Sequence, residues 1–406
     1  MFISRIKLHM PSRFKLLVRP LYNCARRSYQ CVDNLYTRCV IKNGPIKRNK
    51  ILFDNFFGKG YGDNPKYIAE EIHKQGLNWD MVWLLGDMST PLPPYVRAVP
   101  YGSNQAKREL ATAKVVVNNV RNSMRMPKKK GQVFLQTWHG GLGFKHVEGA
   151  AEEKLHPSYV ESAKRDGAEC DAIISACALQ TEDYEKHFWL NPKTKILEVG
   201  QPRCDILFSA NPLLLKNRIC DAFNIPQNAK IILYAPTFRD NGSTEGYALN
   251  FKKVVAAFEA KFNTPCVVIV RLHPNAYKFQ SAIEYDDKVI NGSNYPDIQE
   301  LYLASSVLIT DYSSSAFDCS LLGIPVFVCA LDYEQYREAR GISHVFDQTP
   351  FPKAYSNTEL IYQIERYNNE LYTQSLELYK NTKWMPYDDG SAAKNTVNWL
   401  RNHMVI

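Results

Sequence analysis

The 406 residues, 45% of them apolar, suffice for two globular domains at the usual roughly 100–200 residues each. The net charge of +9 is unevenly placed: residues 1–50 hold twelve Lys or Arg against the single acid Asp33, a local +11, which leaves residues 51–406 at −2. A near-neutral body argues against a nucleic-acid partner, and no apolar run approaches the roughly 20 residues needed to cross a bilayer.

The basic segment 1–50 interleaves its cations with Phe14, Leu16, Leu17, Leu21, Tyr22 and Tyr29. It reads as a helical, amphipathic element lying on an anionic membrane surface, with apolar side chains at headgroup depth and lysines and arginines on the lipid phosphates. Ten cysteines lack any C-x-x-C pair or zinc-like spacing, and Cys266, Cys319 and Cys329 sit in or beside apolar runs. They read as buried thiols in a reducing compartment, with no metal site.

From residue 51 onward, short Val/Ile/Leu runs alternate with helix-length stretches. Strands are expected at 51–56, 81–86, 114–119, 133–138, 171–176 and 195–200, and in a second series at 231–238, 266–273, 306–312 and 325–330. Continuous apolar runs spaced by helices indicate strands covered on both faces, hence parallel, doubly wound α/β sheets. Two series imply two Rossmann-like domains, at 51–207 and 208–385. A final helix at 386–406, capped around Asp389-Gly390-Ser391, is expected to return to the first domain. Leu360, Ile361, Ile364, Leu371 and Leu378 stand at helical spacings.

In facing doubly wound sheets, ligands sit beyond the carboxyl ends of the strands. The polar residues there carry the chemistry. "VFLQTWHGG" ends on His139, with Gly140 allowing close approach; "LYAPTFRD" ends on Arg239, and "VIVRLHP" on Arg271 and His273. "LITDYSSSAFD" leaves its strand at Asp311 and passes Ser313 and Ser314 into a helix, whose free N–H groups and hydroxyls suit an anion. Arginine, histidine and a serine-capped helix after neighbouring strands point to a diphosphate-bearing nucleotide held without metal or cofactor. There is no P-loop and no strong dinucleotide fingerprint. His139, from the other domain, would face that diphosphate as base for a hydroxyl nucleophile.

Five motifs in order, "FLQTWHG", "ILEVGQPRCDIL", "ILYAPTFRD", "VIVRLHP" and "LITDYSSSAFD…GIPVFV", resemble the CDP-glycerol glycerophosphotransferases of teichoic-acid and capsule synthesis. The resemblance implies a GT-B fold and peripheral attachment to the cytoplasmic face of a bacterial membrane. It also implies transfer of glycerol phosphate, or a related alditol phosphate such as ribitol phosphate, from a CDP donor to a lipid-linked acceptor, with release of CMP. By motif position His139 and His273 are the catalytic pair, and Gly140, Arg239, Arg271, Asp311, Ser313 and Ser314 hold substrate. Asp318 either approaches the ribose or sits on its helix. The basic loop 121–130 is expected to meet the phosphate-rich acceptor.

The family commonly follows His-Gly with Thr-Pro-Leu-Lys, whereas this chain continues Gly141-Leu142-Gly143-Phe144-Lys145. That departure falls on the acceptor side. A nucleotide-sugar glycosyltransferase or epimerase, a non-catalytic membrane-bound scaffold, and assembly with copies of itself all stay open at this stage.

Overall fold

The computed structural model describes residues 35–404 apart from 38, 41, 42, 123, 125, 240 and 241. Most of the basic amphipathic segment, residues 1–34, therefore lies outside the described residues.

The first sheet contains β1 (Lys47–Asp54), β2 (Asp80–Leu85), β3 (Val96–Pro100), β4 (Ala113–Asn118), β5 (Val133–Gln136), β6 (Ala172–Ser175) and β7 (Lys195–Glu198). Its order is β3-β2-β1-β4-β5-β6-β7, and every pairing is parallel. The second contains β8 (Lys230–Tyr234), β9 (Cys266–Val270), β10 (Val289–Asn291), β11 (Val307–Thr310), β12 (Val326–Cys329) and β13 (Lys353–Ala354). It runs β10-β9-β8-β11-β12-β13, again parallel. Both orders reverse beside their first strand, between β1 and β4 and between β8 and β11. Those switch points open crevices at the carboxyl ends of the strands.

The three strands absent from the sequence reading, β3, β10 and β13, are all sheet edges. An edge strand need not be apolar on every residue, and β3 carries exposed Arg97 and ends in Pro100. All ten expected strands stop early at the carboxyl end, among them β5 at Gln136, β8 at Tyr234, β9 at Val270 and β11 at Thr310. The polar residues that follow leave the ladder to form the cleft walls. At the other end, β1 begins at Lys47, so part of the basic segment belongs to the sheet. Lys50 is buried there against Glu109 and Thr112 Oγ1.

The last helix, Ala392–Arg401, packs on the first domain, with Val397 and Leu400 in the same core as Ile51, Phe53 and Ile68. Its cap differs from the expectation. Ser391 makes no side-chain cap bond; instead Asp205, distant in sequence, accepts from the amides of Ala392 (2.9 Å) and Ala393 (2.8 Å). The helical spacings at the end of the chain fall on two helices, Asn357–Arg366, which buries Leu360 and Ile364, and Asn369–Tyr379, which turns Tyr372, Leu376 and Tyr379 inward and leaves Leu371 and Leu378 exposed. The eight described cysteines are free, and seven are buried. Among the described residues no helix is long and apolar enough to cross a membrane.

The two domains are joined by more than their connecting chain. Phe144, on the glycine-rich loop after His139, is fully buried in the second domain's core, with its ring 5.2 Å from Phe317 and 5.3 Å from Phe346. The backbone beside it pairs with residues 341–343: Ser343 N donates to Phe144 O (2.8 Å), and Lys145 bridges Ile342. Truncating this plug removes a ring from a packed core that cannot fully collapse. Phe144→Ala is expected to cost about 3–5 kcal/mol in denaturant unfolding; a cost within experimental error would mean the loop does not fasten the domains.

Candidate active site in the interdomain cleft

His139 stands three residues beyond Gln136, the last paired residue of β5, and its backbone approach is tightly specified. Trp138 adopts a left-handed φ of 53°. The Gln136 side chain accepts from Trp138 N (2.8 Å), and Asn64 Nδ2 donates to the carbonyls of Thr137 (3.2 Å) and Trp138 (3.3 Å). The imidazole Nδ1 lies 2.7 Å from the Asn119 carbonyl at the end of β4. A carbonyl only accepts, so Nδ1 carries the proton and Nε2 presents a lone pair. Burial pushes the His139 pKa down to about 3, and the nearby positive charges of Lys145, Arg203 and His273 add to the shift. His273 belongs to the second domain, so its charge acts on His139 across the cleft.

Gly140 meets the serine turn at close range. A Cβ built on it would come within 3.0 Å of Ser314 Oγ, so only glycine fits without displacement. Ser313 Oγ accepts from Ser315 N (3.2 Å) and orders the turn into the short helix Ser315–Ser320. Ser313 and Ser314 are half-buried at the cleft. His273 is exposed, its ring 6.0 Å from Phe238. Arg271 is held by the carbonyls of Gly292 (3.3 Å) and Ser293, and among the described residues it forms no salt bridge. Burial lowers its pKa, the mark of a guanidinium whose charge is not matched by an adjacent carboxylate.

Arg239 and Asp311 sit differently from the sequence expectation. Arg239 is 3% exposed, and its donors reach Asp332 Oδ2 (2.6 Å), Asp332 Oδ1 (2.9 Å), Asp311 Oδ2 (2.8 Å) and Thr237 O (2.6 Å). Burial works against its charge, but the two carboxylates more than offset this, and the pKa is raised. Asp311 is equally engaged, accepting from the amides of Thr237 (2.8 Å) and Tyr312 (2.6 Å) as well as from Arg239. Both residues brace the wall that carries the serine turn, where the sequence reading had placed them on the ligand. A strand-end arginine looks the same in either role until its carboxylate partners are located.

Three cations of the basic loop have internal partners, while Lys130 is exposed. Arg121 is buried against Glu148 (2.9 Å) and Asp166 (3.5 Å), Lys128 reaches Asp171 (2.5 Å), and Lys129 donates to Gly44 O.

The residue that sequence reasoning missed is Arg203. It is buried, and donates through Nε to Asp318 Oδ2 (2.8 Å) and through Nη1 to Asp63 Oδ1 (3.2 Å) and Gln201 Oε1 (3.1 Å). Asp318, left open between ribose and helix, is therefore the second domain's half of an ion pair. Asn64 links this group to the backbone beside His139: it accepts from Arg203 N (3.1 Å), donates to Gln201 Oε1 (2.6 Å), and holds the Trp138 carbonyl. Asp388 completes it by accepting from Gln201 N (2.6 Å), with burial pushing its pKa up to about 7. The motif "VGQPRCD" was the available signal, although its partners lie more than 100 residues away.

The description CDP-Glycerol:Poly(glycerophosphate) glycerophosphotransferase matches residues 35–402. The chain belongs to this family. It is 31% identical over 80% of its length to a teichoic acid poly(glycerol phosphate) polymerase of Staphylococcus epidermidis, and covers 46% of that protein. It is 30% identical over 89% of its length to a teichoic acid glycerol-phosphate transferase of Staphylococcus aureus, and covers 95% of that one. The chain thus spans about half the length of the first relative and nearly all of the second. Among solved structures, the wall teichoic acid polymerase TagF superposes with a TM-score of 0.80 at 26% identity, covering 94% of this chain and 98% of that one. A UDP-N-acetylglucosamine 2-epimerase from Listeria monocytogenes, at 14% identity and a TM-score of 0.55, shares the fold. The GT-B architecture of this family is the one described above.

Two measurements check this geometry. Arg203→Ala would strand Asp63 and Asp318 in the interface, so unfolding stability is expected to fall by about 3–5 kcal/mol; a loss below 1 kcal/mol contradicts the buried bridge. Because burial lowers the His139 pKa, its ring in the unliganded chain should keep the neutral-imidazole NMR shifts from pH 7.5 down to about pH 4.5. A titration near the ordinary histidine value of roughly 6.5 would contradict its burial.

Proposed function

We propose that this family member transfers glycerol phosphate, or a closely related alditol phosphate, from CDP-glycerol to a hydroxyl of a lipid-linked acceptor. The observation that carries the reading is His139: a neutral imidazole with its Nδ1 proton committed to Asn119 O, within electrostatic reach of His273 of the other domain and next to Gly140, which meets the serine turn. A histidine variant of TagF has been solved after soaking with CDPG, which supports a CDP-linked donor for this fold.

The acceptor oxygen attacks the phosphorus that bears the glycerol, and its proton passes to His139 Nε2. The bond from that phosphorus to the bridging oxygen of the diphosphate breaks, and CMP leaves with that oxygen. Arg271 and His273 are the cations on the donor side, with Ser313 and Ser314 as hydroxyl donors; no cofactor is invoked. A base with a pKa of about 3 is weak in the empty cleft; burial is the main cause, and of the cations that add to it, Lys145, Arg203 and His273, only His273 stands on the donor side. A diphosphate bound beside His273 would offset that charge and raise the proton affinity of His139. The basic segment 1–34 would hold the chain on the anionic cytoplasmic face of the membrane, near lipid-linked acceptors.

The test is incubation of the full chain with CDP-glycerol and a lipid-linked glycerol-phosphate acceptor, following CMP release and product masses. His139→Ala is expected to lower turnover by roughly 10²–10⁴-fold while leaving CDP-glycerol binding intact. Turnover of a UDP-sugar but not of CDP-glycerol would overturn the reading.

A further inference from the structure

Taking His139 as the base for an acceptor hydroxyl, we propose that the Phe56-Phe57 turn after β1 is the acceptor subsite, packing the carbon-bonded face of a polyhydroxylated acceptor terminus beside the imidazole. The terminal carbons of such an acceptor must lie within a few ångströms of Nε2, and the second domain's side of the cleft is given to the diphosphate. On the first domain's side the basic loop has committed Arg121, Lys128 and Lys129 to internal partners. The turn at the β1/β4 switch point is the one that places a ring beside the imidazole, Phe56 at 5.4 Å between centroids.

Its backbone is unusual. Phe56 and Phe57 are consecutive residues with left-handed φ of 45° and 62°, a region that side-chain-bearing residues avoid. Hydrogen bonds hold it there: Phe56 N donates to Asn119 Oδ1 (2.8 Å), Gly58 N to Asp54 Oδ1 (2.9 Å), and Gly86 N to Gly58 O (2.8 Å). Asn119 also donates to Asn55 Oδ1 (2.8 Å), and its carbonyl is the oxygen that fixes His139 Nδ1. One residue thus sets both the base and the turn.

The rings this places are not core. Phe56 is half-buried with its centroid 5.4 Å from that of His139, and Phe57 is 42% exposed. Folding alone would favour glycine at a left-handed, exposed position. An aromatic face suits the C–H side of a polyol chain or sugar ring, leaving its hydroxyls free to reach Nε2 and displacing water from the imidazole.

Phe57→Gly removes the ring and relaxes the backbone, so the fold is retained; Phe56→Leu keeps apolar bulk but loses the flat face. With CDP-glycerol and a lipid-linked glycerol-phosphate acceptor, each is expected to raise the acceptor KM by roughly 5- to 10-fold. The dissociation constant for CDP-glycerol, by calorimetry, should not change, and the Phe57→Gly melting temperature should not fall. An unchanged acceptor KM in both variants overturns the subsite, as does an equal weakening of donor binding, which would make the turn a general support of the cleft. Absence of CMP release by the unaltered chain removes the donor reading itself, and the subsite with it.

Discussion

Arg203 lies between carboxylates contributed by two different domains, Asp63 from the first and Asp318 from the second, with almost no access to water. Burial penalises its charge, Asp318 and Asp63 outweigh that penalty, and the guanidinium stays protonated. A buried pair of this kind is poor evidence for net stability, because desolvation consumes much of the attraction. Its consequence is geometric: a planar fork satisfied on both sides sets the separation of the domains and with it the width of the cleft.

The same group reaches the chemistry in two directions. Through Asn64 it holds the Trp138 carbonyl, one residue before His139, and through Asp318 it holds the helix that begins at the serine turn. The distance from Nε2 to the donor pocket is therefore set by the interface, beyond what either sheet determines alone. Phe144, plugged into the opposite core, supplies an apolar fastening on the same loop. A charged fork supplies direction and a buried ring supplies affinity, and the cleft uses both.

Electrostatics across the cleft then divides the labour. His139 is held neutral chiefly by burial, with the charges of Lys145, Arg203 and His273 adding to the effect, while Arg271 in the second domain has no carboxylate partner among the described residues. An empty cleft is thus unfavourable for a protonated base. In the proposed reaction a dianionic donor beside His273 would offset that charge, and the acceptor would then meet a stronger base. Arg239, which the strand-end pattern had marked for the ligand, instead stiffens the wall, its cation enclosed by Asp311, Asp332 and the rings of Tyr312 and Tyr336.

Much of the fold was legible in the chain because a strand covered on both faces must be apolar throughout: β4, β8, β9, β11 and β12 announce themselves as runs of Val, Ile and Leu. The edge strands β3, β10 and β13 did not, because a strand with one neighbour carries a weaker demand. The positions of His139, Gly140, His273 and the serines could likewise be read as strand ends, since local backbone direction puts them at the cleft. Sequence alone could not tell which charged residues face a ligand and which face each other. Arg239 and Arg271 stand at similar strand ends, yet one meets two carboxylates and the other meets carbonyls. Desolvation and pairing are properties of three-dimensional neighbours, and for Arg203, Asp318 and the Phe56-Phe57 turn those neighbours come from distant parts of the chain.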